Sequence, residues 1–278
     1  MRAQNGTPND PGMIPFTPFE IVSNVYYVGS QDQSSYLIKT RDGLILINSG
    51  YVASAPLIEQ SVEKLGFKLS DVKILLISHA HIDHDGGSAA ILKDTGAKYE
   101  VMDADVSVVE TGGKTDFQNG KIATEQYPVT HVDRVLHDND KVELGGEVLT
   151  AHLTPGHTKG CTTYTFDETQ DGRNLHVLVL CGMASSAGPD GSYKLLNNPD
   201  YPQIVSDFEH TFAVLPTLPC DIFLGAHGRY FNLNAKYAKL QGGDKNAFVD
   251  PGGYRAYVAN GKQGFERQLK KQQDAANQ

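Results

Sequence analysis

The segment His79-Ala80-His81-Ile82-Asp83-His84 decides how this chain is interpreted. It follows the apolar run Val72–Ser78, a continuous strand of the kind that is buried on both faces of its sheet, and it precedes Gly86-Gly87. Four potential metal ligands therefore leave the end of one strand within six residues. Imidazoles suit zinc, and a carboxylate adds negative charge that helps to hold a second divalent ion. The alternative is a solvated polar loop that is rich in histidine, and this density of ligand side chains disfavours it.

Two further histidines follow predicted strands. His157 lies in Thr154-Pro155-Gly156-His157-Thr158 after the strand Val148–Leu153, and His227 lies in Gly225-Ala226-His227-Gly228 after the strand Asp221–Leu224. The adjacent glycines allow the backbone to approach a metal centre closely. Either histidine alone would be interpreted as a turn residue, but four ligands cannot fill two metal sites, so both are predicted to be ligands. The other histidines lack this placement and are predicted to be structural: His131, His137, His152, His176 and His210.

Composition excludes several classes of protein. The 278 residues are 40% hydrophobic, which is enough for one large domain or two small ones. The formal net charge of −9 leaves no broad basic surface for nucleic acid. The longest apolar runs, Ile74–Ile77 and Val177–Cys181, are far shorter than the roughly 20 residues of a membrane span. Three cysteines are too few for a disulfide framework, and one bridge with a cysteine left over stays open. We therefore expect a soluble, compact, acidic protein.

Strands and helices alternate in two successive halves, each beginning with strands. The predicted strands are Tyr36–Thr40, Leu44–Asn48, Val72–Ser78, Lys98–Met102, Val142–Leu144, Val148–Leu153, Thr162–Phe166, Leu175–Leu180 and Asp221–Leu224. The predicted helices are Ala55–Leu65, Ser88–Thr95, Ala104–Glu110, Tyr201–Leu215 and most of the tail from Asn234. Two packed sheets with helices outside satisfy this order. Residues 16–278 are predicted to form a single domain behind a polar, flexible N-terminal segment, 1–15, in which no signal peptide is visible.

The pattern His-X-His-X-Asp-His, then Thr-Pro-Gly-His-Thr, then Gly-Ala-His-Gly resembles the metallo-β-lactamase superfamily from about Phe19 to the C-terminal helices. Its details are similar to subclass B3 metallo-β-lactamases. The resemblance implies an α/β fold, a four-layer αββα sandwich. It also implies a zinc-dependent β-lactamase that opens the β-lactam amide bond of penicillins, cephalosporins and carbapenems with a metal-bound hydroxide. Two Zn²⁺ ions are implied per chain, one held by His79, His81 and His157 and the other by Asp83, His84 and His227. Asp83 would also orient the nucleophile and handle its proton.

Three features favour subclass B3 within this resemblance. His84 follows Asp83, whereas subclasses with a cysteine ligand do not use that histidine. The segment Leu180–Ser186 carries no carboxylate, although glyoxalase-type hydrolases, lactonases and tRNA-processing nucleases usually place a metal-bridging Asp there. The stretch Gly225–Tyr230 and the polar C-terminal region with Asp250-Pro251-Gly252 are similar to B3 enzymes.

Two positions depart from the family pattern. Asn48 stands where the superfamily usually has an Asp near the metals, and this change is expected to weaken ligand orientation. Met183 stands where many B3 enzymes have a serine near the second zinc. Ser185 and Ser186 are predicted to bind the substrate carboxylate, with ordinary loop serines as the alternative. Cys181 is disfavoured as a ligand because the six-residue set is complete without it.

Other functions stay open at this stage. The same metals could serve a thioester, lactone or phosphodiester hydrolase, and Asn48 keeps a weakly active metal-binding homologue in consideration. We expect a small-molecule substrate, no nucleic-acid or membrane partner and a monomer. A periplasmic or secreted location is inferred from the family alone.

Overall fold

The computed structural model describes residues 10–183 and 193–277. The strands in this part of the chain are β1 (Phe19–Val22), β2 (Val25–Tyr27), β3 (Tyr36–Thr40), β4 (Gly43–Ile47), β5 (Val72–Leu76), β6 (Lys98–Met102), β7 (Arg134–Leu136), β8 (Asp140–Leu144), β9 (Glu147–Leu153), β10 (Thr162–Gln170), β11 (Arg173–Leu180) and β12 (Ile222–Gly225). The helices are α1 (Ala55–Lys64), α2 (Ile82–Asp85), α3 (Ser88–Thr95), α4 (Asp103–Glu110), α5 (Ile204–Val214), α6 (Leu233–Gln241) and α7 (Pro251–Ala276).

The strands form two mixed sheets. The first has seven strands in the order β1-β2-β3-β4-β5-β6-β7, antiparallel as far as β4 and parallel from β4 to β7. The second has five strands in the order β12-β11-β10-β9-β8, in which only β11 and β12 are parallel. The predicted four-layer αββα sandwich is therefore confirmed.

Alternate side chains of the first sheet enter two different cores, because successive residues of a strand point to opposite faces. Ile45 and Ile47 of β4 face the second sheet, whereas Leu44 and Leu46 pack into the cluster beneath α1 and α3. Because both faces of the central strands are buried, these strands appear in the sequence as continuous apolar runs. The outer face of the second sheet is covered by α5 and α7, where Phe208, Phe212 and Phe265 form an aromatic cluster.

The strands bring the predicted site residues to one edge of the sandwich. The loops after β4, β5, β9 and β12 all leave from this edge, since β9 and β11 run in the same direction on either side of the antiparallel β10. Two buried tyrosines join the sheets there. The Tyr164 hydroxyl donates to Ile77 O (2.9 Å), and the Tyr36 hydroxyl donates to Gly225 O (2.7 Å).

Three strands, β1, β2 and β7, were not predicted from the sequence. They contain four, three and three residues, which is too short for a period-two pattern to stand out. The predicted strand Leu44–Asn48 ends one residue early, because Asn48 has a left-handed backbone (φ 65°). In the described part of the chain, no helix has both the length and the apolar character that a membrane crossing requires.

The buried Glu168 on β10 predicts a pH-dependent stability. Asn24 donates to its Oε2 (3.5 Å), and Oε1 has no hydrogen-bond partner among the described residues. Burial, with the charge of Glu147 added, raises the pKa of Glu168 to about 7. The folded state therefore favours the protonated acid, and stability is lost as the pH rises from the ordinary glutamate pKa through about 7. We expect Glu168→Gln to raise the free energy of unfolding of the metal-free protein at pH 8 by about 1–3 kcal/mol.

Urea unfolding at pH 4.5 and pH 8 measures this difference. The gain should become small near pH 4.5, where Glu168 is protonated in the folded state and about half protonated in the unfolded state. Glu143→Gln, on the exposed face of β8, is the matched control and should change little at either pH. An equal gain at both pH values would contradict the assignment to Glu168 ionisation.

Candidate metal centre

His79, His81 and His157 meet as the sequence predicts. One ring nitrogen of each lies within 4.8 Å of those of the other two, and all three residues are buried. The ring of His157 is 4.6 Å from that of His79 and 4.9 Å from that of His81. Because His157 comes from the second sheet and the other two from the first, this trio spans the sandwich.

Asp83, His84 and His227 form a second trio. The Asp83 Oδ2 atom lies 3.2 Å from His84 Nε2 and 3.7 Å from His227 Nε2, and the two Nε2 atoms are 3.3 Å apart. Asp83 and His84 belong to the single-turn helix α2, which turns both side chains toward the β12 loop that carries His227.

The two trios are adjacent. The rings of His79 and His84 are 4.3 Å apart, and ligand atoms of His79, Asp83 and His84 lie within 4.8 Å of one another. The six predicted ligands therefore form one continuous cluster, in which His79 of the first trio touches the second. Their role as ligands stays a prediction.

The state of these side chains fits a bound cation. Among the residues that the structure describes, His79 Nε2 is buried without a hydrogen-bond partner, whereas His79 Nδ1 lies 3.1 Å from Ser78 Oγ. Burial, with the charges of His84 and His157 added, lowers the pKa of His79 well below its ordinary value, and burial also lowers the pKa of His84. Neutral imidazoles and an ionised carboxylate are the forms that bind metals. Burial opposes ionisation of Asp83, but its interactions with His84, followed by those with His227 and His79, outweigh burial and lower the pKa of Asp83 well below its usual range.

Side chains behind the first trio orient it. The Tyr193 hydroxyl lies 3.1 Å from His157 Nδ1. The Asp116 Oδ2 atom lies 3.7 Å from His81 Nε2, and backbone N–H groups of Gln118 and Asn119 donate to its Oδ1. Burial opposes protonation of His81, but Asp116 outweighs it and raises the pKa of His81 to about 9, so a metal ion would have to displace a proton from His81 in order to bind.

The loop between β2 and β3 supports the second trio. His227 Nδ1 lies 3.1 Å from Asp32 Oδ2, and the Arg229 guanidinium also donates to this carboxylate. Burial opposes ionisation of Asp32, but His227 and Arg229 together lower its pKa. The adjacent Gln33 donates through Nε2 to Asp83 Oδ2 (2.9 Å). A carboxylate on the far nitrogen of a ligand histidine fixes the tautomer and the ring direction.

The sequence missed these four supporting residues: Asp32, Gln33, Asp116 and Tyr193. Asp32 and Gln33 lie in a polar loop of ordinary composition, and their partners are 195 and 50 residues away in sequence. Acidic residues in such loops are usually solvated, so no local signal distinguishes Asp32 or Asp116 before the fold is known.

Asn48 joins the two loops that flank the centre, and among the described residues its side chain makes no hydrogen bond with a predicted ligand side chain. Its Nδ2 donates to Ser34 O (3.2 Å), and its Oδ1 accepts from Ser78 N (2.7 Å). Ser78 directly precedes His79, so any effect of Asn48 on ligand orientation passes through this peptide. An Asp in this place could accept from Ser78 but, when ionised, could not donate to Ser34. The expected weakening of the centre by Asn48 stays a prediction.

The end of β11 carries no carboxylate in its described part. Cys181 forms a disulfide with Cys161, which leaves Cys220 as the free cysteine and Cys181 without the thiolate that metal binding needs. Gly182 approaches the His157 ring so closely that an added Cβ would lie 3.1 Å from His157 Cδ2. Met183 is buried. The predicted substrate contacts Ser185 and Ser186 lie outside the described residues.

The remaining histidines belong to neither trio, and the structural role predicted for them stays a prediction. His131, His137 and His210 are exposed, whereas His152 and His176 lie half-buried on β9 and β11. His152 pairs with Asn139 and Thr165, and His176 pairs with Asp167.

Comparison with known proteins agrees with this geometry. The profile of the metallo-beta-lactamase superfamily matches residues 28–171. The native FEZ-1 metallo-beta-lactamase from Legionella gormanii is 49% identical, with 94% of this chain and 98% of that chain covered and a TM-score of 0.91. BJP-1, a subclass B3 metallo-beta-lactamase of Bradyrhizobium japonicum, is 35% identical, with 97% and 100% covered and a TM-score of 0.89.

A second group of relatives matches over a shorter region. A hydroxyacylglutathione hydrolase from Rhodopseudomonas palustris is 32% identical over 137 residues, which is 49% of this chain and 44% of that protein's length. The matching profile and the high structural similarity over nearly the whole chain, together with the histidine cluster at one edge of an αββα sandwich, establish that this chain belongs to the metallo-β-lactamase superfamily.

Proposed function

We propose that this protein is a zinc-dependent β-lactamase of the subclass B3 type that hydrolyses the amide bond of β-lactam antibiotics. The observation that carries the proposal is the second trio, in which Asp83, His84 and His227 approach one another within 3.7 Å beside the first trio. Each trio offers three side chains to one ion, which leaves positions for water and substrate. The similarity to FEZ-1 and BJP-1 over most of both chains supports the same substrate class.

The residues of the centre have separate tasks in this proposal. When bound, two zinc ions would polarise the lactam carbonyl and lower the pKa of water to roughly 7. Asp83 keeps its carboxylate ionised, so Oδ2 can accept the proton of the attacking water and later deliver it to the lactam nitrogen. Gln33 fixes the direction of that carboxylate through its amide. Asp32 holds His227 by Nδ1, which leaves Nε2 directed at the site.

The partial matches to hydroxyacylglutathione hydrolases make a thioester the second substrate class to test. The end of β11 argues against it, because glyoxalase-type hydrolases of the family usually place a metal-bridging Asp there. In this chain Cys181 and Gly182 stand there, and neither side chain has a carboxylate; Cys181 is joined to Cys161, and Gly182 packs against His157. Lactones and phosphodiesters are the remaining alternatives.

We propose a periplasmic or secreted location for this enzyme. The disulfide between Cys161 and Cys181 supports an oxidising compartment, where such bridges persist. A β-lactamase outside the cytoplasm meets its substrate before the antibiotic reaches its target. Resistance to carbapenems in a host strain is the phenotype that would follow from this activity.

We expect the zinc-loaded protein to open a carbapenem rapidly and to lose this activity on chelation. Removing the metals deprives the reaction of the low-pKa water and the polarised carbonyl, and no other nucleophile is proposed. The measurement is the loss of the carbapenem ultraviolet absorbance, before and after treatment with a chelator and again after zinc is restored.

The same protein sample should be assayed with a glutathione thioester, a lactone and a phosphodiester. Faster turnover of the thioester than of any β-lactam would replace the proposed substrate class. Absence of β-lactam turnover in protein that holds two zinc ions would contradict the proposal without affecting the family assignment.

Single-ligand variants test the two trios. We expect His157→Ala and His227→Ala each to lower the bound zinc from two equivalents to one at limiting free zinc, because each removes one of three ligands from a different ion. Elemental analysis after dialysis measures the stoichiometry. His152→Ala, on the strand that leads to His157, is the matched control and should retain both ions. If either ligand variant keeps two ions with unchanged affinity, its predicted trio is wrong.

A further inference from the structure

The residue between His79 and His81, Ala80, is held at both its backbone N–H and its backbone C=O. Ala80 N donates to Asp105 Oδ2 (3.0 Å), and Ala80 O accepts from the Tyr127 hydroxyl (2.8 Å). Asp105 is a buried residue of α4 and is only 1% exposed. Because Ala80 links two members of the first trio, the orientation of its two peptide groups influences the direction of both side chains.

The same carboxylate reaches the loop of His157. The Thr158 hydroxyl donates to Asp105 Oδ2 (2.9 Å), and Gly160 N donates to Oδ1 (2.8 Å). A side chain at Gly160 would collide with Asp105, because an added Cβ would lie 2.6 Å from Asp105 Cγ. Glycine is therefore needed for this close approach. One side chain thus joins the loop after β5 of the first sheet to the loop after β9 of the second.

The contacts require an acceptor at both oxygens of Asp105. Two of its three partners are backbone N–H groups, which can only donate, and they lie on different oxygens. An asparagine would place an NH₂ group against one of these donors, so an amide cannot replace the carboxylate in this network. Removing the acceptor leaves a buried donor without a partner, which disfavours this arrangement of the two loops.

We propose that Asp105 is the positioning residue that sets the distance between the His79–His81 pair and His157, and thereby the affinity of the first metal site. The inference rests on the proposed use of these three histidines as ligands of one ion. Asp105 acts through Ala80, Thr158 and Gly160, and among the described residues it makes no hydrogen bond with Asp83, His84 or His227. Its effect is therefore specific to the first site.

The test is a Co²⁺ titration of the metal-depleted full-length protein, followed by visible ligand-field absorbance. His157→Ala and His227→Ala identify the bands of each site. We expect Asp105→Asn to weaken Co²⁺ binding at the first site by about 10–100-fold and to shift its bands, with the second site unchanged. Asp103→Asn, on the exposed face of the same helix, is the matched control and should leave both sites unchanged.

If Asp105→Asn does not fold, two variants of Thr158 test the same positioning role. Thr158→Val removes one donor to Asp105 at nearly constant volume, and Thr158→Ser keeps the hydroxyl. We expect the first-site affinity to fall in the valine variant and to be restored in the serine variant. An unchanged first site in folded Thr158→Val, or equal weakening of both sites, would overturn the positioning role. Because the readout is metal binding, a failure of β-lactam turnover would count against the proposed substrate and not against Asp105.

Discussion

The two tyrosine hydroxyls that cross between the sheets are the contacts on which the rest of the centre depends. Tyr164 reaches Ile77 O at the exit of β5, and Tyr36 reaches Gly225 O at the exit of β12. Both carbonyls are buried beside the ligand loops, so leaving either unsatisfied would cost about 1–3 kcal/mol. These two hydrogen bonds fix the position of one sheet relative to the other. Predicted ligands contributed by separate sheets can then approach one another closely.

Around these two hydrogen bonds, the polar groups of the centre form successive layers. Histidines and Asp83 form the inner layer, and carboxylates and amides orient them from behind, as Asp32 does for His227 and Asp116 does for His81. Behind these, backbone N–H groups hold the carboxylates, as Gln118 and Asn119 do for Asp116. Each layer supplies hydrogen-bond partners or opposite charges to polar groups that would be costly to bury alone. The free-energy cost of burying these predicted metal ligands is therefore offset by contacts from loops of both sheets.

The sequence predicts the inner layer because its members are close together or stand beside glycine at strand ends. Four of six predicted ligands lie between His79 and His84, and the fold class follows from the alternation of apolar runs. The outer layers could not be predicted. Asp105 stands on a short amphipathic helix where an acid is ordinarily solvated, and its partners lie 25 to 55 residues away. Pairing of Cys161 with Cys181 likewise depends on β10 and β11 being neighbours in the sheet.

The hairpin that joins β10 to β11 turns at the edge opposite to the ligand loops. Its turn residues Asp171 and Gly172 both have positive φ, and nothing lies within 4 Å of a Cβ added at Gly172. Their backbone conformation suits the tight turn that adjoining strands require. Because the chain reverses there in open space, far along both strands from His157, the turn is a natural point for splicing in a peptide tag or reporter domain. The edge that carries the histidine cluster would then keep its chemistry, while the opposite edge carries the inserted tag or domain.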